Sequence, residues 1–444
     1  MMVIKDLTSG SVGKRLFIFM IPLIISNVFQ QLYNTVDSLV IARLMGQSAF
    51  AAAGAAGPIM NAAIFILAGL CMGGAVIMAQ KYGAHDEDGF KKAVFTFLVF
   101  GGGIALILSA VGTTFATFFL RVTRTPEDIM ADARAYLVVI FLGMIFTFLY
   151  NMYAGILRSV GDSRAALFFL VISFAVHIAL AILFVGLFGM GTAGAALATV
   201  VSQALSVLLC MIYQMKKYPH LTLKKRDCGI DLGLLKLTAS YSGVAALQQS
   251  SLYIGKLLVQ SAVNPLGSSV IAAYAAVSRL DDFIQAPSIG GAEGLTTFVA
   301  QNKGAGQKGR IKKAFNIGFV LLVTFSSTLA LAAFLFSGPL LRIFLKDASD
   351  AAVAVGQRYI NIIAPFYLLA GMGNAFQSFF RGMGRLNVSF IGTSIHITIR
   401  VVLSYVLVKQ MMLGGVGLAV GVGWMVMIVF QSVMTARIRK TELK

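Results

Sequence analysis

Apolar residues run through this chain in long stretches almost free of charge. Residues 44–80, 93–120, 165–215 and 314–341 contain no Asp, Glu, Lys or Arg. About 20 predominantly apolar residues suffice for a helix to cross the hydrocarbon core of a bilayer. Divided at its polar breaks, the pattern predicts twelve such segments: 16–45, 49–80, 91–120, 130–156, 163–187, 191–214, 233–262, 268–300, 313–338, 352–379, 386–409 and 413–436. Several are longer than a crossing needs, which predicts tilt or bends. Pro22, Pro287 and Pro365 fall inside the first, eighth and tenth segments, where each removes a backbone donor and can kink its helix.

Composition agrees with an all-α integral membrane protein. Of 444 residues 58% are hydrophobic and only 12% charged, with a mean hydropathy of +0.86, whereas soluble domains keep roughly a quarter of their residues charged. The net charge of +19 does not point to nucleic acid, because the basic residues mark loops and form no stripe. The first apolar run, from Leu16, is long enough to remain as a helix and is not read as a cleaved leader. Cys71, Cys210 and Cys228 form no C-x-x-C motif, and two lie in apolar windows, so free thiols without a metal or redox role are expected.

Lysine and arginine set the orientation. Of 36 in all, 25 fall on the side that carries both termini and 8 on the other, while Lys256, Arg279 and Arg400 sit inside segments. The richer side is expected in the cytoplasm.

The chain also repeats itself. An offset of 221 carries Ala79-Gln80-Lys81-Tyr82-Gly83-Ala84 onto Ala300-Gln301-Asn302-Lys303-Gly304-Ala305, and Lys91-Lys92-Ala93 onto Lys312-Lys313-Ala314. An offset of 223 carries Tyr136 onto Tyr359, Arg158-x-x-Gly161 onto Arg381-x-x-Gly384, and Gly191-x-x-Gly194 onto Gly414-x-x-Gly417. Six segments per repeat give both copies one orientation, as in parallel repeats about an axis normal to the membrane. The expected organisation is an N-terminal lobe over 1–217, a cytoplasmic linker over 218–232 and a C-terminal lobe over 233–444. Two lobes with a cleft between them suit alternating access.

Polar residues inside these segments are the candidates for chemistry. Asp37 is the one charged residue between Arg15 and Arg43. A charge at the bilayer centre costs about 2.5–3.5 kcal/mol on insertion scales, so Asp37 must face water or take a proton. Asn27, Gln30, Gln31, Asn34, Asp37 and Ser38 share its helix face. Helix–helix hydrogen bonding is the structural alternative for that face. Ser242, Gln249, Tyr253, Lys256 and Gln260 form a similar stripe in segment seven. There Lys256 either pairs with an acid or snorkels to the outer surface. Segment eight carries Arg279, Asp281, Asp282 and Glu293. Asp282 and Glu293 lie three turns apart on one face, as a second titratable site or as an internal salt bridge plus a helix-end acid. The ion-coupling candidates are therefore Asp37, Asp282 and Glu293. The substrate-binding candidates are Gln31, Asn34, Gln249, Tyr253 and Lys256. Arg279, one turn before Asp282, and Arg400, in segment eleven, are expected as structural charge partners, and His177 as an interior histidine. The 34 Phe, 13 Tyr and 20 Met would suit a cavity that takes flat cations.

Several of these stretches resemble the multidrug and toxic compound extrusion (MATE) transporters of bacteria. The resemblance rests on Pro22-Leu-Ile-Ile-Ser26-Asn27, Gln31-Leu-Tyr33-Asn34-Thr-Val-Asp37, the Ala-Gln-x-x-Gly-Ala ending of segments two and eight, and Arg158-x-x-Gly161-Asp162, in order along nearly the whole chain. It implies twelve transmembrane helices in two pseudo-symmetric six-helix bundles set as a V. It also implies cation-coupled antiport, driven by H+ or Na+, that exports amphipathic and often cationic organic compounds, with no cofactor. In several relatives the fifth segment carries an Asn and, four residues on, an Asp that join the first-segment Asp in a cation site. Here those positions are His177 and Ala181, so that ion site is not simply copied. The expected setting is the bacterial inner (cytoplasmic) membrane, with both termini cytoplasmic. Lipid and a small organic substrate are the expected partners, and the chain is expected to act as a monomer.

No P-loop, His-Glu-x-x-His motif or Cys/His cluster is present in the sequence, which argues against nucleotide hydrolysis and a membrane metalloenzyme. The second reading is a flippase, or a dedicated exporter of a lipid-linked or anionic metabolite, on a related two-lobed scaffold. Lys256, Arg279 and Arg400 keep an anionic substrate open.

Overall fold

The helices follow the apolar pattern closely, and the places where they break repeat with the sequence. The structure, a computed structural model, describes residues 6–345 and 350–443; the side chains of residues 33–47, 226 and 351 lie outside the description. The helices are α1 (Val12–Gly83), α2 (Glu87–Thr114), α3 (Ala116–Val122), α4 (Glu127–Leu142), α5 (Met144–Ser159), α6 (Ser163–Ala181), α7 (Gly191–Lys217), α8 (Leu232–Val263), α9 (Ser268–Gly304), α10 (Lys308–Leu335), α11 (Ser337–Phe344), α12 (Asp350–Ile363), α13 (Tyr367–Gly382), α14 (Leu386–Met411) and α15 (Leu413–Thr441). No strand occurs among the described residues.

The twelve predicted segments map onto these elements. The first two lie in α1, whose stretches Val12–Leu32 and Ser48–Gly83 are each long and apolar enough to cross. The third is α2 with α3, and the ninth α10 with the start of α11. The fourth is α4 with α5, bent by 46° at Gly143. The tenth is α12 with α13, joined by a 3-10 turn over Ala364–Phe366 that contains Pro365. The repeat offset of 223 carries Leu142, beside the bend at Gly143, onto Pro365, so both repeats break the same helix at the same place. Pro22 and Pro287 sit inside α1 and α9 without ending them. The fifth segment continues from α6 into a π-helical turn, Ile182–Leu187. Large apolar side chains such as Leu106, Ile107, Phe118, Leu331 and Val429 stand exposed along the helices, a surface suited to lipid rather than water.

Helix ends repeat as well. Residues with left-handed φ follow helices at His85 (55°) and Gly306 (68°), at Gly161 (82°) and Gly384 (69°), and at Gly189 (63°) and Met412 (52°). The first of these pairs keeps the repeat offset of 221, and the other two keep that of 223. A left-handed residue closes a helix by letting the next amides reach back to its free carbonyls. Asp86 then caps α2, accepting from the Gly89 amide at 2.8 Å and from Lys81 Nζ at 2.8 Å. The Lys81 bond, with that amide, holds the Asp86 carboxyl below the usual carboxylate range.

Two compact units emerge, and their borders fall inside helices. One is built on Phe29–Gln249, the other on Leu7–Val28 and Ser250–Lys444. Each unit therefore holds five whole segments of its own repeat, the second half of that repeat's opening segment, and the first half of the opening segment of the other repeat. The predicted division at 217 and 233 follows the repeat, whereas the contacts follow small residues. In the first unit Gly69 and Gly73 of α1 lie against the backbone of Ala246 and Ser242 in α8, where an added Cβ would come within 2.5 Å of a main-chain atom. In the second, Gly290 of α9 meets the backbone of Leu23 and Ile24 equally closely, and Gly294 meets Met20. Gly69-x-x-x-Gly73 and Gly290-x-x-x-Gly294 are the same notch, related by the repeat offset of 221. Such notches let helix backbones approach in lipid, where burial of apolar surface no longer drives association.

Candidate functional site

Among the twelve segments, α8 and α9 fall short of the apolarity of the others. They carry Lys256, Arg279, Asp281 and Asp282, and the second unit gathers most of these charges into one cluster. Neighbouring residues on a helix point about 100° apart, and the two aspartates use that difference. Asp281 accepts from Tyr367 Oη of α13 at 2.6 Å and from Gln285 Nε2, one turn on, at 2.9 Å. Arg400 of α14 lies within electrostatic reach of Asp281 and Tyr359 and hydrogen-bonds Tyr274. Tyr274, Tyr359 and Tyr367 are all buried. Trp424 continues the aromatic wall between Tyr367 (centroids 6.0 Å apart) and His396 (5.7 Å, nearly parallel).

Asp282 turns instead to α8. Lys256 Nζ donates to its Oδ1 at 2.7 Å, and the two side chains are 48% and 40% exposed. An exposed pair of this kind contributes roughly 0–1 kcal/mol in water. Within membrane-spanning helices, exposed charges face a bundle interior or an aqueous cavity. Lys256 therefore meets an acid rather than snorkelling to the surface. The Asp281 group is a fixed scaffold with several ties; the Asp282 group is a single exchangeable tie.

Farther along α9, Glu293 lies within electrostatic reach of Arg381, whose Nη2 donates to Gln377 Oε1 at 3.2 Å. Asn374 Nδ2 donates to Ser288 Oγ at 3.0 Å.

The first unit has the same frame with different chemistry. At the place of Asp281 stands Met60, whose sulfur accepts from Tyr136 Oη at 3.8 Å. At the places of Asp282, Arg400 and Tyr367 stand Asn61, His177 and Met144. His177 is buried, with Nε2 3.1 Å from Thr199 Oγ1. Nearby, Thr147 Oγ1 donates to Gln203 Oε1 at 2.6 Å, and Asn151 Nδ2 to the Thr147 carbonyl at 2.8 Å.

A MatE family model matches residues 22–183 and 245–406, one stretch in each repeat. The chain belongs to the MatE family. The probable multidrug resistance protein YoeA of Bacillus subtilis (strain 168) is 30% identical over 390 residues, covering 86% of this chain and 84% of that one. The probable multidrug resistance protein NorM of Thermotoga maritima is 24% identical, covering 92% and 89%. A crystal structure of a MATE protein in complex with MaL6 matches with a TM-score of 0.91 at 22% identity, over 98% of this chain and 99% of that one. A MOP superfamily transporter from Pyrococcus furiosus, described as having a binding pocket of reversed polarity, matches at 0.90 and 22%, over 98% of each chain. The resemblance read from the sequence holds: this is an all-α, multi-pass membrane transporter of the MATE type, and not an enzyme.

Within this MatE chain the predicted site residues separate. Asp37 and Asn34 lie outside the described residues. Gln31 and Gln249, both half-buried, belong to the first unit. Tyr253, Lys256, Asp282, Glu293, Arg279 and Arg400 belong to the second. Asp282 and Glu293 share α9 but keep different company, Lys256 for one and Arg381 for the other. Arg279 is exposed and forms no ion pair with Asp282 among the described residues. Asp281, Tyr274, Tyr359 and Tyr367 were not singled out by the sequence, although the recurrence of Tyr136 as Tyr359 marks the position.

Proposed function

We propose that this chain exports amphipathic organic compounds bearing a cationic group, as a multidrug efflux antiporter driven by protons or sodium through alternating access. The observation that carries the proposal is the Asp282–Lys256 pair, set beside the fixed Asp281 cluster in the two least apolar membrane segments. Unpaired charge in a membrane-spanning segment is costly. A site whose carboxylate can release its partner can therefore take a proton, a sodium ion or the cationic group of a substrate in turn. Competition for one carboxylate is enough for exchange. Asp37, Asp282 and Glu293 are the proposed ion-coupling groups, with Gln31, Asn34, Gln249, Tyr253 and Lys256 as substrate contacts. The curated relatives are named as multidrug resistance or export proteins, which supports the substrate class. The proposed setting is the inner membrane, both termini in the cytoplasm, as a monomer.

The test is transport in proteoliposomes with pH and sodium gradients imposed separately. Uphill movement of a cationic dye driven by either gradient is the expected result. Dye movement indifferent to both gradients would overturn the antiport proposal. Translocation of a lipid-linked anionic precursor without dye export would favour the flippase reading, which Lys256 and Arg400 support through their positive charge.

A further inference from the structure

From the Lys256–Asp282 pair we infer that the preferred substrates of this transporter are zwitterions, compounds that carry an ammonium and a carboxylate (or a like anion) on one apolar framework. The inference rests on the export reading above and narrows its substrate class.

Charge balance at the pair sets what can bind. Asp281, Asp282, Lys256 and Arg400 sum to zero. Asp281 is engaged by Tyr367 at 2.6 Å and Gln285 at 2.9 Å, with Arg400 in reach. What remains for exchange is one ammonium and one carboxylate, 2.7 Å apart, each side chain roughly half-exposed. A monocation that takes Asp282 leaves the Lys256 ammonium without a partner in a membrane-spanning helix. An anion that takes Lys256 strands Asp282 in the same way. A zwitterion replaces one ion pair with two: its anionic group meets Lys256, its ammonium meets Asp282, and no charge is left alone. A charge left without a partner in a membrane-spanning segment is costly, so the penalty falls on singly charged compounds.

The pairing is not an inheritance of the repeat. Gln30-Gln31 recurs as Gln248-Gln249, an offset of 218, which places Ser38 opposite Lys256. Asn61 stands opposite Asp282 at an offset of 221. The first repeat thus carries two neutral residues where the second carries an acid and a base. The 26 residues between Lys256 and Asp282 span two helices, so the pair is made by packing and is not a local helix contact.

The test compares binding of two fluorescent dyes to the purified, reconstituted protein: one with an alkylammonium and a free carboxylate, which is a zwitterion, and its methyl ester, a monocation. The wild type is expected to bind the free acid about tenfold more tightly than the ester, the equivalent of about 1.4 kcal/mol. Lys256→Met frees Asp282 and should invert that preference. The exchanged variant, Lys256→Asp with Asp282→Lys, keeps one acid and one base and should restore preference for the free acid. It also serves where Lys256→Met fails to fold. Equal affinity for acid and ester in the wild type, or a preference unmoved in Lys256→Met, would overturn the zwitterion site while leaving dye export standing. Binding of neither dye would overturn both.

Discussion

Asp281 stands in the second repeat where Met60 stands in the first, and each takes its hydrogen bond from a tyrosine, Tyr367 at 2.6 Å and Tyr136 at 3.8 Å. One framework therefore supports a thioether in one unit and a carboxylate in the other. The partners change with it: His177 becomes Arg400 and Met144 becomes Tyr367. Most of the charge inside the membrane segments stands in the second repeat, and a duplicated backbone does not require duplicated chemistry.

The two clusters should be transplantable. Asp281→Met alone leaves the Tyr367 hydroxyl without its acceptor and Arg400 without a nearby carboxylate, which should lower stability by about 1–3 kcal/mol. Asp281→Met with Arg400→His installs the first unit's residues at both positions and should recover part of that loss. Thermal unfolding in detergent across the double-mutant cycle measures the coupling, expected at about 0.5–3 kcal/mol. Strict additivity would show that Asp281 and Arg400 do not act as a pair.

The glycine notches give a second, independent expectation. Gly69→Ala and Gly290→Ala each place a Cβ within about 2.7 Å of main-chain atoms of the helix they face. Each should destabilise by about 1–3 kcal/mol, the range for overpacking a tight contact. Gly54 lies in the same long helix with nothing within 4 Å, so Gly54→Ala should be neutral or stabilising, by about 0.5–1 kcal/mol. Equal unfolding temperatures for Gly54→Ala, Gly69→Ala and Gly290→Ala would remove the notches from the account of the fold.

Those notches also explain what the sequence did and did not reveal. The twelve segments were legible because lipid demands long apolar runs, and the runs are nearly free of charge. The bend at Gly143 and the turn at Pro365 were foreshadowed by segment length and by a proline. The borders of the units were not legible. They depend on which helix the Gly69 and Gly290 faces meet, and the repeat offset cannot say that the partner comes from the other repeat. Asp282 was a candidate because it is an acid in an apolar segment. Its expected partner was Arg279, one turn before it, and the partner it meets is Lys256, because helix rotation decides which base an acid faces. Asp281 was passed over although it is adjacent, because its role depends on Tyr367, 86 residues away.

Asp162 and Arg385 occupy one place in the two repeats with opposite charges, and should differ in weight. Asp162 is 3% exposed and accepts from Lys217 at 2.7 Å and from the hydroxyls of Tyr213 and Tyr218, both at 2.9 Å. Arg385 meets Glu442 at 2.6 Å on an open surface, its side chain 55% exposed. Asp162→Ala should cost about 3–5 kcal/mol, the range for breaking a buried pair, and Arg385→Ala about 0–1 kcal/mol. Burial and the Asp162 carboxylate push the Tyr218 phenol above its ordinary value. The folded state therefore holds that proton more tightly. Its contribution is whole below about pH 10 and is lost as pH rises through the folded value. Unfolding midpoints measured from neutral to alkaline pH should fall less steeply in Tyr218→Phe than in the wild type.

Asp37→Asn tests the coupling mechanism most directly. Asp37 is the one acid in a segment that otherwise offers Asn27, Gln30, Gln31 and Asn34 as neutral ligands. An ionised carboxylate there needs water, a metal ion or an organic cation beside it, and without one it takes a proton. In the proposed mechanism, alternation between those two forms couples ion entry to substrate exit. Exchange of one proton for one monovalent cation moves no net charge, so a pH gradient alone drives it. Entry of an additional cation would add about 2.3 kcal/mol per 100 mV of membrane potential. Asparagine keeps the shape and the hydrogen-bonding capacity of aspartate but cannot titrate. Asp37→Asn should therefore fold and insert with near wild-type yield, bind dye, and lose gradient-driven export. Downhill dye exchange should persist. Wild-type export with wild-type pH dependence in Asp37→Asn would remove Asp37 from the coupling step. Asp282→Asn and Glu293→Gln in the same assay would then show which acid of the second unit carries it.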